Sequence, residues 1–257
     1  MFYQIKQYIN FRFKSTNQHG VHSPFVYDLI TKCFYDKTKY SEYNKILEYL
    51  KSLLKNSSRI KVTDLGAGSQ VMKQQYRSIS NLAKNAGTTN ERAQLLYRLI
   101  TYFKPTNILE LGTSLGIATY AMHLGNSKSN ITTIEGCPNI SEFTTEQFHK
   151  FKLNNIHLIN GDFSNEIKAL NSSRYDFIFF DGNHQKEATL YYFESLLETA
   201  NNNSVWIFDD IYWSKGMTEA WEIIKQHPKV TVTINTFYWG FVFFRKEQVK
   251  EHFTIRV

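Results

Sequence analysis

The sequence has few cysteines, few prolines and no long uninterrupted apolar run. Cys33 and Cys137 are far apart and match no metal-binding spacing, which fits a reduced, cytoplasmic setting, although the two thiols could still pair. Gln, Lys and Asn interrupt the apolar residues of the first stretch, MFYQIKQYINFRFK, every two or three positions. We therefore expect no signal peptide, no membrane-spanning helix and no membrane partner.

The chain has a net charge of +7, but it contains no run of Lys and Arg longer than two residues and no Gly/Arg-rich or RNP-type motif. Lysines spread over the whole surface explain this charge, while attraction to nucleic acid is not excluded by it. Hydrophobic residues make up 42% and aromatic residues 16% of the chain, enough for a substantial core. A disordered chain is thereby excluded.

Two regions of different character follow one another. Residues 1–104 read mostly as helix and predict a helical cap, in which Thr88 and Glu91 have the spacing of a capping box and a helix stops before Pro105. From residue 105 to 257, short apolar runs alternate with helical stretches. This alternation predicts an α/β domain with a Rossmann-like, doubly wound parallel sheet. The last two apolar runs, VTVTINTF and GFVFFRK, have hairpin spacing, so the final strand should be antiparallel.

Two glycine turns follow β-like runs, VTDLGAGSQ at residues 62–70 and ILELGTSLGIAT at 108–119. In a nucleoside-binding βαβ unit, an acid ends the next strand about 20 residues after the turn and accepts the ribose hydroxyls. Glu135 follows Gly112 by 23 positions, whereas the next strand-ending acid after Gly66 is 44 positions away. The second turn is thus the predicted site. The first is either a turn between cap helices or a loop over the cofactor.

The predicted turn contains no lysine and begins with the acid Glu110, so it is a poor phosphate cradle. An acidic pocket suits a cationic ligand, and S-adenosylmethionine carries an ammonium and a sulfonium. The G-x-G-x-x-G pattern of dinucleotide-binding dehydrogenases is absent, and this disfavours a nicotinamide enzyme.

Residues 106–245 resemble class I S-adenosylmethionine-dependent methyltransferases, in particular the O-methyltransferase-like branch with catechol-type enzymes. The resemblance implies a seven-stranded sheet with an antiparallel last strand. It also implies that the glycine turn lies under the methionine part of the cofactor, that Glu135 holds the ribose and that Asp162 and Phe163 meet the adenine. The implied cofactor residues are Glu110, Gly112, Thr113, Ser114, Gly116, Glu135, Gly136, Asp162, Phe163 and Asp181.

Acids end two further predicted strands, in FIFFDGNHQ and VWIFDDIYW. Carboxylates that converge at the carboxyl edge of a parallel sheet repel one another unless a divalent cation compensates them. Metal-dependent relatives have this pattern, which implies Mg²⁺ at Asp181, Asp209 and Asp210, although single acids there also serve metal-free enzymes. His184, where catechol-type relatives place a catalytic lysine, is a candidate general base that would act together with Asp181.

Three functions remain open. The first is O-methylation of a small hydroxylated substrate, with Mg²⁺ assistance. The second is ribose 2′-O-methylation of RNA, and the third is a catalytically silent cofactor-binding module. A homodimer is compatible with the sequence, and the segment HGVHSPFV at residues 19–26 has no assigned chemistry.

Overall fold

The computed structural model describes residues 2–63, 75–170 and 173–257 of the chain. These residues form two compact units, one made of Met1–Tyr35 with Ser164–Val257 and the other of Asp36–Phe163. The predicted boundary at residue 104 lies inside the second of these units, and the division into a cap and a methyltransferase part remains a prediction. Each unit is described by itself below.

Helices and strands alternate along most of the described chain. The helices are α1 (Phe2–Lys14), α2 (Pro24–Leu29), α3 (Glu42–Leu54), α4 (Ile79–Asn85), α5 (Asn90–Phe103), α6 (Ile117–Gly125), α7 (Pro138–Lys150), α8 (Phe163–Leu170), α9 (Lys186–Leu196) and α10 (Lys215–Gln226). The strands are β1 (Arg59–Lys61), β2 (Tyr76–Ser78), β3 (Asn107–Leu111), β4 (Asn130–Glu135), β5 (Ile156–Asn160), β6 (Phe177–Phe180), β7 (Val205–Phe208), β8 (Val232–Asn235), β9 (Gly240–Phe243) and β10 (Glu251–Thr254).

Helix α5 begins one residue later than the predicted capping box. The hydroxyl of Thr89, and not that of Thr88, accepts the N–H of Arg92, at 3.4 Å. Both threonines satisfy the residue preference of a cap, so sequence alone did not separate them. The helix ends as predicted before Pro105, with Lys104 in the left-handed region at φ 49°.

The unit of residues 36–163 contains the parallel strands β3, β4 and β5, with β4 in the middle. Leu111 at the end of β3 lies opposite Ile134, and Glu135 at the end of β4 lies opposite Asn160. The carboxyl ends of the three strands therefore meet at one edge, and the loops that follow them are neighbours.

The other unit contains five strands in the order β10, β8, β9, β7, β6. Strand β9 is antiparallel to both β7 and β8, which confirms the predicted terminal hairpin. Strand β10 pairs with β8 in parallel and was not predicted, because its sequence EHFT is short and half exposed and lacks an apolar run. Outside the short β1–β2 pair, the described residues form eight mainly parallel strands where the sequence predicted seven, and the α/β, Rossmann-like class is confirmed.

Both cysteines are buried and free, so Cys33 and Cys137 do not pair. Among the described residues, every helix is too short or too polar to cross a bilayer.

Candidate functional site

The predicted glycine turn follows β3 and has an unusual backbone. Gly112 and Gly116 have φ values of 108° and 75°, and Ser114 has a φ of 48°. Gly116 is the N-cap of α6, and a Cβ atom built on it would lie 2.5 Å from Cε1 of Phe148. Both the left-handed backbone and the close approach of this ring require glycine here.

Glu110 lies beneath the turn and is fully buried. Its Oε2 accepts hydrogen bonds from the hydroxyls of Thr119, at 2.5 Å, and Thr133, at 2.6 Å, and the Thr133 hydroxyl is 2.6 Å from that of Thr113. Burial raises the pKa of Glu110 from 4.5 to about 7, against the lowering effect of the two hydroxyl donors. This carboxyl group therefore joins β3, β4 and α6 below the turn.

Glu135 ends β4, and its carboxylate is held by two backbone donors from different loops. The N–H of Ser114 donates to Oε2 at 2.9 Å, and the N–H of Cys137 donates to Oε1 at 2.8 Å. Hydrogen bonds to a carboxylate are stronger than those between neutral groups. The glycine turn and the next strand-end loop, which includes Gly136, are consequently fixed to one side chain.

The predicted adenine residues stand at the same edge. Asp162 is exposed between β5 and α8, and Phe163 is the first residue of α8. The N–H of Gly161 donates to the carbonyl oxygen of Glu135 at 3.1 Å, so the loop after β5 adjoins the end of β4. The structure thus brings together the predicted cofactor residues of this unit, from Glu110 to Phe163.

The first glycine turn, with Gly66 and Gly68, lies outside the described residues. Just before it, the N–H of Thr63 donates to Sγ of Cys137 at 3.3 Å, and Asn139 donates to the carbonyl oxygen of Lys61 at 2.8 Å. Strand β1 therefore contacts the start of α7. The two hypotheses for this turn stay open.

The predicted metal and catalytic residues lie in the other unit, after β6 and β7. Phe180 and Phe208 are register partners in these parallel strands, so Asp181 and Asp209 follow at equivalent positions. Ligand atoms of Asp181, His184 and Asp209 lie within 4.8 Å of one another, which is close enough for one ion to contact all three. His184 Nε2 is 3.9 Å from Oδ1 of Asp181.

Burial lowers the pKa of His184, and the nearby charge of Asp209 opposes this effect. A lowered pKa favours the neutral imidazole at neutral pH. This form can coordinate a metal ion or accept a proton, so the two chemistries compete for the same ring nitrogen.

Three non-glycine residues in or next to this cluster have a positive φ: Asn183 at 68°, His184 at 47° and Asp210 at 52°. Backbone of this kind is costly and concentrates at functional sites. Asp210 is outside the group of three that could share an ion, whereas His184, predicted only as a base, is inside it.

Sequence reasoning missed the threonines around Glu110. Thr133 is the direct register partner of Glu110 in the β3–β4 pair, and Thr119 lies on α6. Recognising that Thr133 lies beside Glu110 requires the register of two strands that are far apart in the chain. The sequence offered one signal for this contact: Glu110 and Thr133 are polar residues within the apolar runs of β3 and β4.

Residues 109–211 match the family model for a methyltransferase domain. No curated protein matches the chain significantly.

Several solved structures are similar to the chain in fold. A methyltransferase from Podospora anserina bound to SAH is 15% identical, with a TM-score of 0.61, and the match covers 88% of this chain and 97% of that one. An O-methyltransferase from Bacillus cereus in complex with SAH is 19% identical, with a TM-score of 0.56 and coverage of 82% and 93%. The O-methyltransferase of tomaymycin synthesis from Streptomyces achromogenes, in complex with SAM, is 14% identical, with a TM-score of 0.56 and coverage of 81% and 91%.

The resemblance inferred from the turn at Gly112 and from Glu135 is confirmed at the level of domain and fold: residues 109–211 match a methyltransferase domain, and the α/β fold is the one found in the SAH-bound methyltransferases above.

Proposed function

We propose that the protein transfers a methyl group from S-adenosylmethionine to a hydroxyl oxygen of a small molecule. The observation that carries the proposal is the arrangement around Glu135, whose carboxylate is oriented by backbone donors at 2.9 and 2.8 Å from the glycine turn and from the start of α7. The names of the similar structures add support, since two are O-methyltransferases and each of the three holds SAM or SAH.

The cofactor would be held by residues of the unit of residues 36–163. Glu135 is preorganised to accept the ribose hydroxyls, because its orientation is set before a ligand arrives. The turn from Gly112 to Gly116 would lie against the methionine part, with Asp162 and Phe163 at the adenine. Methyl transfer is an in-line displacement at a sulfonium, so alignment of donor and acceptor supplies much of the rate enhancement.

The group of Asp181, His184 and Asp209 fits a divalent cation, because it offers two carboxylates and a neutral imidazole within reach of one ion. Mg²⁺ prefers oxygen ligands, and the imidazole also admits Mn²⁺ or Zn²⁺. A bound cation would lower the pKa of an acceptor hydroxyl. The roles of His184 as general base and of Asp210 as a ligand remain predictions.

The test combines cofactor binding with methyl transfer. We expect S-adenosylmethionine to raise the melting temperature and to bind in titration calorimetry. Glu135→Ala should weaken this binding by about tenfold or more, because it removes a charge-assisted acceptor. Glu142→Ala is the matched control, since Glu142 is an exposed carboxylate on α7.

Radiolabelled cofactor with catechols, hydroxylated aromatics, sugars and total RNA then identifies the acceptor class. Label in a small hydroxylated molecule supports the proposal, and label in RNA alone replaces it with 2′-O-methylation. Binding without transfer to any acceptor indicates a silent module. If the folded wild-type protein ignores S-adenosylmethionine, the proposal is wrong.

A further inference from the structure

Helix α1 is held to its unit through two polar side chains and two aromatic side chains. Tyr3 donates its hydroxyl to Oγ1 of Thr218 at 2.8 Å, and Gln4 donates to the carbonyl oxygen of Trp213 at 3.3 Å. Phe11 is the buried residue of this helix, with its ring 5.6 Å from that of Phe237, and the ring of the half-exposed Tyr8 lies 4.9 Å from the same ring. The inward face therefore uses Tyr8 and Phe11, and leaves the two isoleucines and the other two phenylalanines of the helix unburied.

The outward face carries the rest of that surface. Phe2 and Phe13 are 89% and 87% exposed, and Ile5 and Ile9 are each 49% exposed. Their spacing places them in one stripe along the helix. A helix on the surface of a protein ordinarily packs its apolar stripe against the core. The stripe of α1 is exposed instead, and an exposed apolar stripe indicates an interaction surface.

Positive charge borders the apolar stripe, and the helix itself contains no acidic residue. Lys6 and Arg12 are exposed and lie on opposite sides of the stripe, and Lys14 is exposed at the helix end. The first acidic residue of the chain is Asp28, well beyond the helix. The surface therefore calls for a partner that is both apolar and anionic.

We propose that α1 lies flat in the interface of an anionic lipid membrane, with Phe2, Ile9 and Phe13 inserted below the headgroups. A bilayer supplies apolar depth and anionic headgroups together, and Lys6 and Arg12 would meet those headgroups on either side. A second copy of the chain is disfavoured as the occupant, because a two-fold contact between these faces brings the cations of both helices together.

This binding goes beyond methyl transfer and departs from the expectation of no membrane partner. Helix α1 has 13 residues and would lie on the bilayer without crossing it, as an interfacial helix does.

The full-length protein is tested by co-sedimentation with two kinds of vesicle, pure phosphatidylcholine and an equal mixture of phosphatidylcholine and phosphatidylglycerol. We expect binding to the mixed vesicles and about tenfold weaker binding to the neutral ones, with a strong decrease at high salt. Ile9→Ser with Phe13→Ser should lower binding to the mixed vesicles by about tenfold or more, because it removes inserted apolar area.

Matched control variants distinguish binding through α1 from nonspecific adsorption of the protein to vesicles. Ile223 on α10 is 49% exposed, so Ile223→Ser removes an equally accessible apolar side chain elsewhere. Lys6→Gln with Arg12→Gln should weaken binding to the mixed vesicles, whereas Lys128→Gln, at another exposed lysine, should not. All these side chains are exposed, so the melting temperature should change little and identifies any variant that misfolds.

The proposal is overturned if wild-type protein stays in solution with the anionic vesicles, or if the Ile9 and Phe13 substitutions leave sedimentation unchanged. It is also overturned if sedimentation velocity in the absence of lipid shows a dimer that the same substitutions dissociate, since a second copy would then cover the helix.

Discussion

The buried carboxyl group of Glu110 makes the stability of the protein depend on pH in a way that one substitution should reveal. In the folded state, burial raises the pKa of Glu110 from 4.5 to about 7. The unfolded chain releases this proton near pH 4.5, while the folded chain retains it until near pH 7. The protonated Glu110 therefore stabilises the folded state fully below pH 4.5, the pKa of the unfolded chain. This stabilisation is lost as the pH rises through about 7, the pKa in the folded state.

One pKa unit corresponds to about 1.4 kcal/mol, so the raised pKa costs the wild-type protein about 3 kcal/mol at alkaline pH relative to acidic pH. Glu110→Gln keeps the size and a carbonyl oxygen for Thr119 and Thr133 but cannot ionise. The free energy of unfolding of the variant relative to wild type should therefore increase by about 2.5 kcal/mol between pH 4.5 and pH 7.

Urea unfolding of wild type and Glu110→Gln across this pH range measures the difference between their free energies of unfolding. All other titrating groups are common to both proteins, so their contributions cancel in this difference. A second variant gives a check in the opposite direction: Thr133→Val removes a donor to Oε2 and should raise the pKa of Glu110 further, so the loss of stability becomes larger and extends to higher pH. A difference between wild type and Glu110→Gln that stays constant with pH would refute the assignment of a raised pKa.

Two further predictions concern the turn and the metal group. Gly116→Ala should lower the free energy of unfolding by about 3 kcal/mol, because a methyl group there is strained at φ 75° and overlaps Phe148. Gly216→Ala on α10 is the control and should be neutral or slightly stabilising in the same urea titration, because the nearest atom to its new methyl group is Cβ of Lys186, at 3.4 Å. Asp181→Asn with Asp209→Asn should abolish any stimulation of methyl transfer by Mg²⁺ or Mn²⁺ and any thermal shift caused by these ions, and an unchanged response would remove the metal assignment.

Predictions from the sequence succeeded where one chain segment carries the whole signal. Strand ends and helix starts follow from apolar runs that stop at Glu135 or Asp181. The choice of the second glycine turn as the cofactor site stays a prediction. The hairpin of β8 and β9 likewise follows from the short connection between two apolar runs.

The sequence did not predict the features that depend on contacts between segments distant in the chain. The position of Thr133 beside Glu110 depends on strand register, and β10 forms because β8 offers an edge to a chain segment with no apolar pattern of its own. Periodicity indicates that α1 has an apolar stripe but not that the stripe faces outward while Phe11 is the residue that becomes buried. The approach of His184 to two aspartates depends on a left-handed backbone that its sequence does not indicate.

The two backbone donors on Glu135 have a consequence for how this pocket can change. Ser114 and Cys137 stand on different loops, and both rely on a single side chain to satisfy their amides. Replacing that acid would release both loops at once, in addition to any effect on the ribose contact that we propose for it. A substitution of Glu135 would accordingly need compensating substitutions in each loop, so this position should resist change more strongly than the proposed ribose contact alone would require.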